Sequence, residues 1–168
     1  VLAYPQQYPS IFTEDEWFVV YSTVKEEESA DADYELMNKM LDYREASLLA
    51  SACWPGPLTM ILRKAESVPL AATGGRDTIA IRSPRHPLAR ALLHAVGAPI
   101  SAPSANRSGQ VSPTAAEHVA QDFLDEPELL ILDGGPCTLG IESTVIDLTT
   151  LVPIVRRPGS VTIERLRE

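Results

Sequence analysis

Residues 99–113 read Pro-Ile-Ser-Ala-Pro-Ser-Ala-Asn-Arg-Ser-Gly-Gln-Val-Ser-Pro, a polar loop that lies between a predicted apolar strand and a predicted helix. Small hydroxyl side chains and exposed backbone N–H groups are good donors for a phosphate, and a following helix N-terminus adds partial positive charge. Ser112 followed by Pro113 is typical of an N-cap and a first helical residue. The loop is therefore predicted to be an anion cradle, with a simple turn of the chain as the alternative.

On either side of this loop, short apolar strands alternate with segments of helical periodicity, which predicts an α/β domain with a mixed sheet. The predicted strands are Val1–Tyr4, Trp17–Tyr21, Leu58–Leu62, Thr78–Arg82, Ala98–Ser101, Leu129–Leu132, Ser143–Leu148 and Pro153–Arg156. The predicted helices are Tyr34–Cys53, His86–Val96 and Pro113–Leu124. A chain of 168 residues with 45% hydrophobic content is long enough for one buried core. We therefore expect a single domain over residues 1–168.

Charge and cysteine content argue against several classes of protein. The net charge is −9, and the acidity is concentrated in residues 1–50, which carry eleven acidic and three basic side chains. Because nucleic-acid phosphates require clustered Lys and Arg, direct nucleic-acid binding is not expected. The chain has neither the run of roughly 18 apolar residues that a membrane span needs nor a signal-peptide pattern, so a soluble protein is expected. Cys53 and Cys137 are too few for a disulfide framework or a zinc cluster, which favours a reducing cytoplasm.

Neither a metal centre nor a serine-hydrolase site is predicted. His86, His94 and His118 show no metal-ligand spacing and are interpreted as surface or structural residues. Ser104 lacks the Gly-x-Ser-x-Gly elbow of serine hydrolases, and His118 with Asp122 does not complete a recognisable triad.

Four further motifs contain residues that bind ligands or fix the backbone. Trp54-Pro-Gly-Pro-Leu-Thr59 is interpreted as a rigid structural corner, because two prolines bracket a glycine. Arg82 ends an apolar strand, where its guanidinium could bind a carboxylate through two hydrogen bonds, with a surface ion pair as the alternative. Residues 133–145 form a glycine-rich loop that leads Ser143 into a strand, and Arg156-Arg-Pro-Gly159 places two cations at a turn.

In this order and spacing, the five motifs closely resemble the YrdC domain family, in particular the threonylcarbamoyl-AMP synthases. The resemblance covers about residues 47–168 and rests on Trp54-Pro-Gly-Pro-Leu-Thr59, Ile79-Ala-Ile-Arg-Ser-Pro84, Ser101-Ala-Pro-Ser-Ala-Asn-Arg-Ser-Gly109 with Ser112-Pro-Thr114, Gly140-Ile-Glu-Ser-Thr-Val-Ile-Asp147 and Arg157-Pro-Gly159. It implies a twisted α/β domain with a concave ligand-binding face. It also implies an enzyme that makes threonylcarbamoyl-AMP and pyrophosphate from L-threonine, bicarbonate and ATP, for threonylcarbamoyladenosine modification of transfer RNA.

The resemblance also assigns ligand-binding roles. The residues matched to the family's L-threonine site are Arg82 and Ser143, and those matched to its ATP site are Ala102, Ser104, Asn106, Ser112 and Arg157. No catalytic residue beyond these is implied, because in-line phosphoryl chemistry depends mainly on positioning and charge stabilisation. Magnesium is the implied cofactor, bound with ATP, and no carboxylate pair in the sequence stands out as its ligand. The implied downstream partner is a complex that transfers the threonylcarbamoyl group.

The N-terminal region departs from the family's pattern. Val1-Leu-Ala-Tyr-Pro5 resembles the family's opening strand, but the motifs Pro-Thr-x-Thr-x-Tyr-Gly-Leu and Lys-x-Arg-Pro do not occur before Trp54. Residues 1–46 are therefore interpreted as divergent and acidic. Three explanations are open: divergence with impaired turnover, an altered but active enzyme, or residues of the natural protein that this chain omits. The alternatives to a synthase are a catalytically impaired nucleotide-binding or regulatory module and a protein that handles a related carbamoyl-adenylate.

Overall fold

The computed structural model describes residues 19–20 and 44–167. Its strands and helices in chain order are β1 (Val19–Val20), α1 (Arg44–Cys53), β2 (Leu58–Arg63), β3 (Thr78–Arg82), α2 (Pro87–Val96), β4 (Ile100–Ser101), α3 (Ala116–Asp122), β5 (Thr144–Asp147), β6 (Ile154–Arg157) and α4 (Ile163–Arg167). A 3₁₀ turn at Leu70–Thr73 precedes β3. None of the described helices has the length and hydropathy needed to cross a membrane. The predicted strand Val1–Tyr4 and residues 34–43 of the first predicted helix lie outside the described residues.

The described strands form one mixed sheet in the order β4-β1-β3-β2-β5-β6. β1 is parallel to β3 and β2 is parallel to β5, whereas the other neighbouring pairs are antiparallel. Although β1 is only two residues long, it is an interior strand, because Val19 pairs with Ile81 on one side and with Ser101 on the other. The sheet confirms the predicted α/β class.

Side-chain alternation along β2 separates an apolar face of the sheet from a polar one. Leu58, Met60 and Leu62 are fully buried on the apolar face, where complete burial of each such side chain contributes about 1.5–3 kcal/mol. Thr59 lies between them and therefore belongs to the opposite face. The other buried members of the apolar cluster are Ala46, Ala50, Val68, Ile79, Ile81, Ile146 and Leu148.

The segment between α1 and β2 is a tight corner. The Trp54–Pro55 peptide bond is cis, and the Trp54 Nε1–H donates to the Leu58 carbonyl at 2.6 Å. The Gly56 N–H donates to the Ser83 carbonyl at 2.8 Å. A Cβ on Gly56 would lie 2.2 Å from the Cys53 carbonyl oxygen, so a larger residue would have to displace the backbone. The corner therefore sets where β2 begins relative to the end of β3.

Two predictions of local structure are wrong. The helix expected from Pro113 begins at Ala116, and its N-cap is Ala115 rather than Ser112. Ser112 does not cap this helix because its hydroxyl bonds to a side chain of another loop, described below. The run Leu129–Leu132 forms no strand, and Leu130 and Leu132 are exposed. An apolar run does not itself supply a neighbouring strand with which to pair.

Candidate functional site

Strand register brings polar residues to one level on the polar face of the sheet. Because Met60 of β2 pairs with Ile81 of β3 in an antiparallel ladder, the next position places Arg82 opposite Thr59. Thr59 is in turn level with Arg157 of β6, through the intervening strand β5. Residues from three strands and three separate sequence motifs therefore meet at this level.

Next to this level lies a hydrogen-bonded group of five side chains, which we name the Ser143 network: Thr59, Ser112, Glu142, Ser143 and Arg157. The Ser143 hydroxyl is 2.8 Å from the Thr59 hydroxyl. Arg157 donates from Nη2 to Ser143 Oγ at 3.1 Å and from Nε to the Ser143 carbonyl at 3.2 Å. Arg157 also forms an ion pair with Glu142, whose Oε1 accepts a 2.7 Å hydrogen bond from Ser112 Oγ. The network joins one residue of the predicted threonine site to two of the predicted ATP site.

Arg82 gives this site an excess of positive charge. Burial, and secondarily the nearby positive charge of Arg157, lowers the pKa of the Arg82 guanidinium; an arginine nevertheless stays protonated near neutral pH. Among the described residues, the Arg82 guanidinium has no hydrogen-bond or ion-pair partner, whereas that of Arg157 is paired with Glu142. A half-buried guanidinium with no carboxylate of its own is suited to bind an anionic ligand, and a carboxylate or phosphate matches its geometry.

Asn106, in the loop after β4, has an unused acceptor. Its side chain is buried, with 4% of the residue exposed, and its Nδ2 donates to the carbonyls of Arg107 and Gln110, both at 3.0 Å. These two bonds fix the orientation of the amide. Oδ1 is then buried with no donor in the described part of the chain. Because Oδ1 can only accept, it is available to a group that carries N–H or O–H.

Arg107 holds the same loop against α3. Its Nε donates to the Asp122 carbonyl at 2.8 Å, it forms an ion pair with Asp125, and its guanidinium lies 5.1 Å from the centre of the Phe123 ring. The arginine therefore serves to place the loop. The helix N-terminus that was expected to support an anion there belongs to a helix of seven residues that begins after the loop.

Most residues of the loop after β4 that were assigned to the ATP site are not bonded to the Ser143 network in the described structure. Ala102 and Ser104 are half-buried, and within the described residues no hydrogen bond links Ala102, Ser104 or Asn106 to the Ser143 network. Ser112, at the end of the loop, is the exception through its bond to Glu142. The seven assigned roles remain predictions.

The turn after β6 fixes the position of Arg157. A Cβ on Gly159 would lie 2.5 Å from the Glu142 carbonyl oxygen and 2.6 Å from the Thr144 nitrogen, so only glycine allows this approach. The N–H and the hydroxyl of Ser160 both donate to the Glu142 carbonyl at 3.1 Å. The Thr144 hydroxyl donates to the Val161 carbonyl at 2.6 Å. The turn and the start of β5 therefore form one tightly packed unit.

Arg156, the other cation of the same motif, has a structural role. It donates from Nε and Nη2 to Asp147 Oδ2 at 3.1 and 2.7 Å, while Asp147 Oδ1 accepts from the Thr149 N–H and hydroxyl at 2.9 and 2.6 Å. Burial opposes ionisation of Asp147, but the bonds from Thr149 and Arg156 outweigh it and lower the carboxyl pKa. Asp147 is therefore a buried carboxylate in which each oxygen accepts two hydrogen bonds.

Two members of the network were not assigned a role from the sequence, namely Glu142 and Thr59. Glu142 lies directly before Ser143 in a quoted motif, and an acidic residue between a glycine turn and a binding serine is a usable signal. Thr59 ends the corner motif that was interpreted as structural. No three His, Cys, Asp or Glu side chains within the described ranges come together as metal ligands, so we assign no protein ligand to magnesium.

Comparison with known proteins identifies the family. The family model described as Sua5_yciO_yrdC, telomere recombination, matches residues 29–159. The threonylcarbamoyl-AMP synthase of Pyrococcus abyssi is 51% identical over 124 residues, which are 74% of this chain and 36% of that protein. The Bacillus subtilis protein of the same name is 49% identical over 123 residues, which are 73% of this chain and 35% of that protein. The chain thus spans about a third of the length of these curated relatives.

Solved structures of family members have the same fold as this chain. P. abyssi Sua5 complexed with L-threonine matches with a TM-score of 0.79 and 41% identity, covering 92% of this chain and 43% of that chain. Escherichia coli YciO matches with a TM-score of 0.71 and 26% identity, covering 90% of this chain and 69% of that chain. On the strength of the family model and of the shared fold, the chain belongs to the Sua5/YciO/YrdC family.

Proposed function

We propose that this chain acts as an L-threonylcarbamoyl-AMP synthase, which converts L-threonine, bicarbonate and ATP into threonylcarbamoyl-adenylate and pyrophosphate for threonylcarbamoyladenosine modification of transfer RNA. One observation carries the proposal: Arg157 bonds to Ser143 and pairs with Glu142, and the Arg82 guanidinium, which is near enough to Arg157 for the two charges to interact, pairs with no carboxylate of the described residues. Relatives named threonylcarbamoyl-AMP synthase support it, as does the structure of P. abyssi Sua5 with L-threonine.

In this proposal the threonine carboxylate binds Arg82. A guanidinium offers two parallel N–H donors to a carboxylate, and such charged hydrogen bonds contribute about 1.5–3 kcal/mol. The Ser143 hydroxyl contacts the same substrate from the start of β5. Because Arg82 lies at the end of a strand in the middle of the sheet, its position is fixed by the core beneath it.

The nucleotide is proposed to bind along the loop after β4 and across to β6. Asn106 Oδ1 accepts from an amine or hydroxyl of the base or ribose, since an ionised phosphate oxygen has no proton to donate. Arg157 supplies N–H donors from the Ser143 network, Ser112 contributes the lone pairs of the hydroxyl that it donates to Glu142, and Ala102 and Ser104 line the loop. Magnesium is proposed to accompany ATP, where it neutralises phosphate charge; the described residues offer it no cluster of ligands.

The proposed reaction has two steps. The threonine amine adds to carbon dioxide derived from bicarbonate and loses a proton, which gives a carbamate. A carbamate oxygen then forms a bond to the α-phosphorus while the bond from that phosphorus to the leaving pyrophosphate breaks. The chain's own residues contribute alignment and positive charge, which account for most of the catalysis in in-line phosphoryl transfer. We propose a cytoplasmic location, consistent with the free thiols of Cys53 and Cys137, and a downstream complex that consumes the product.

The test is pyrophosphate release by the purified chain with magnesium and ATP. We expect release only when both L-threonine and bicarbonate are present. Arg82→Ala should weaken threonine binding about tenfold to a hundredfold, the equivalent of one charged hydrogen-bond pair, and should leave ATP binding unchanged. Arg63→Ala, which removes an exposed arginine of β2, is the matched control and should change neither.

Three results would count against the proposal. No threonine-dependent pyrophosphate release would contradict it for this chain. ATP binding without turnover and without heat from threonine would instead support the nucleotide-binding module. Equal losses for both ligands in Arg82→Ala would indicate general unfolding and would remove the assigned role of that residue.

A further inference from the structure

The corner motif delivers one polar side chain to the site. Thr59 follows the corner directly on β2, the strand that lies between β3 and β5, and only 1% of the residue is exposed. Its hydroxyl meets that of Ser143, and the Thr144 N–H bonds to the Pro57 carbonyl at 3.0 Å. Ser143 itself follows a long, exposed loop, residues 133–142. The interior strand β2 therefore fixes the position of Ser143 through Thr59, whereas the exposed loop before Ser143 does not.

The direction of the bond between the two hydroxyls follows from counting protons. The Thr59 hydroxyl is buried, and Ser143 is its only hydrogen-bond partner among the described residues. If Ser143 donated to Thr59, the proton of Thr59 would be buried without an acceptor, which costs about 1–3 kcal/mol. With a ligand that accepts from Ser143, both hydroxyl protons are therefore satisfied only when Thr59 is the donor. Ser143 Oγ then accepts twice, from Thr59 and from Arg157 Nη2, and its own O–H is left for a ligand.

We propose that Thr59 is a positioning residue that holds the Ser143 hydroxyl as a hydrogen-bond donor toward the substrate. This inference rests on the proposed function, in which the substrate is L-threonine. Since Ser143 and Arg82 both present donors, the group bound between them must be an acceptor. A carboxylate or a carbamate oxygen satisfies this requirement, and an ammonium group does not.

The experiment measures L-threonine binding by calorimetry and pyrophosphate release for the chain and two variants. Thr59→Val replaces the hydroxyl with a methyl group, and Thr59→Ser keeps it. We expect Thr59→Val to raise the dissociation constant and KM for threonine about tenfold, as expected for loss of one hydrogen bond worth about 1.4 kcal/mol, with ATP affinity changed less than about twofold. Thr59→Ser should restore threonine affinity. A crystal structure of Thr59→Val should show the Ser143 side chain in a different rotamer.

Thr73→Val is the matched control. Thr73 is also buried, and its hydroxyl bonds to the carbonyls of Leu70 and Arg76 at 3.2 and 2.8 Å, in the turn before β3. Thr73→Val should lower the unfolding free energy without changing threonine affinity. Unchanged threonine affinity in Thr59→Val, an unchanged Ser143 rotamer, or no recovery in Thr59→Ser would each overturn the positioning role. Absence of threonine binding by the unmodified chain would instead overturn the proposed function.

Discussion

The Ser143 network is built on β2, β5 and β6, whereas the loop of residues 102–112 follows β4 at the other edge of the sheet. The two regions share Ser112 and are otherwise built differently. In the network, side chains from β2, β6 and the start of β5 bond to one another before any ligand arrives. In the loop, the Asn106 side chain bonds to backbone carbonyls, and Arg107 and Ser112 bond to side chains outside the loop. The Asn106 Oδ1 atom meanwhile has no donor in the described structure.

The two regions differ in when their side chains lose conformational entropy, which is either on folding or on ligand binding. Side chains already fixed by packing and hydrogen bonds lose little conformational freedom when a ligand binds. Polar groups without a partner in the protein form their hydrogen bonds only with the ligand. We therefore expect substitutions in the network to affect folding and binding together. Substitutions in the loop should affect nucleotide binding more selectively. Of the three predictions that follow, the first and the third test this contrast, and the second tests the ion pair of Asp147 with Arg156 beside the network.

The largest effect is expected from a pair of glycine variants. Gly159→Ala places a methyl group within 2.5–2.6 Å of backbone atoms of Glu142 and its neighbours, and overpacking of this kind costs about 1–3 kcal/mol, with the upper end expected here. Gly109→Ala meets no atom within 4 Å but keeps a φ of +78°, which costs about 1–2 kcal/mol. Urea unfolding measures both. Equal losses in the two variants would remove the contrast between network and loop.

The second prediction concerns pH and Asp147. Its pKa is lowered in the folded protein, so its contribution to stability is present above the unfolded carboxyl pKa of about 3.9 and disappears as the pH falls through the lower, folded value. Asp147→Asn should cost about 1–3 kcal/mol at neutral pH, because Arg156 loses its carboxylate. The difference from the unmodified chain should shrink below about pH 4. A difference that stays constant from neutral to acid pH, in urea unfolding at each pH, would contradict the lowered pKa.

The smallest effect is expected in the loop. Asn106→Ala removes two donors to backbone carbonyls and the orphan acceptor, and should weaken ATP binding about tenfold, or about 1.4 kcal/mol. Threonine affinity should not change. Gln110→Ala is the matched control, because the loop uses its carbonyl and not its exposed side chain. Calorimetry with each ligand is the measurement, and a parallel loss of threonine binding would show that loop and network are one unit.

The local sequence pattern was sufficient to predict elements whose bounds depend on neighbouring residues. β3 has its predicted bounds, Thr78–Arg82, because alternation and a following proline define it. The local pattern was insufficient where a residue's structure depends on a partner far away in the sequence. Ser112 resembles an N-cap, yet its hydroxyl bonds to Glu142, thirty residues later. Leu129–Leu132 resembles a strand but pairs with none of the described strands.

The candidate site shows the same division. Arg82 and Ser143 could be named from motifs, because their residue types and flanking residues are distinctive. The role of Thr59 could not, since its importance depends on facing Ser143, 84 positions away in the chain. The excess positive charge around Arg82 likewise follows only from the approach of Arg157.

The two-residue strand β1 has a consequence for how the site is assembled. β2, β3, β5 and β6 come from residues 58–157 and adjoin one another, whereas β4 contacts the sheet through β1 alone within the described structure. The loop of residues 102–112 follows β4 directly, so its docking requires residues 19–20 to insert between strands that are synthesised much later. The Ser143 network also joins distant parts of the chain, since Thr59 and Ser143 are 84 positions apart, but its strands β2, β5 and β6 adjoin one another without β1. Loss of the pairing of residues 19–20 should therefore release β4 and the start of the nucleotide loop while leaving these three strands together.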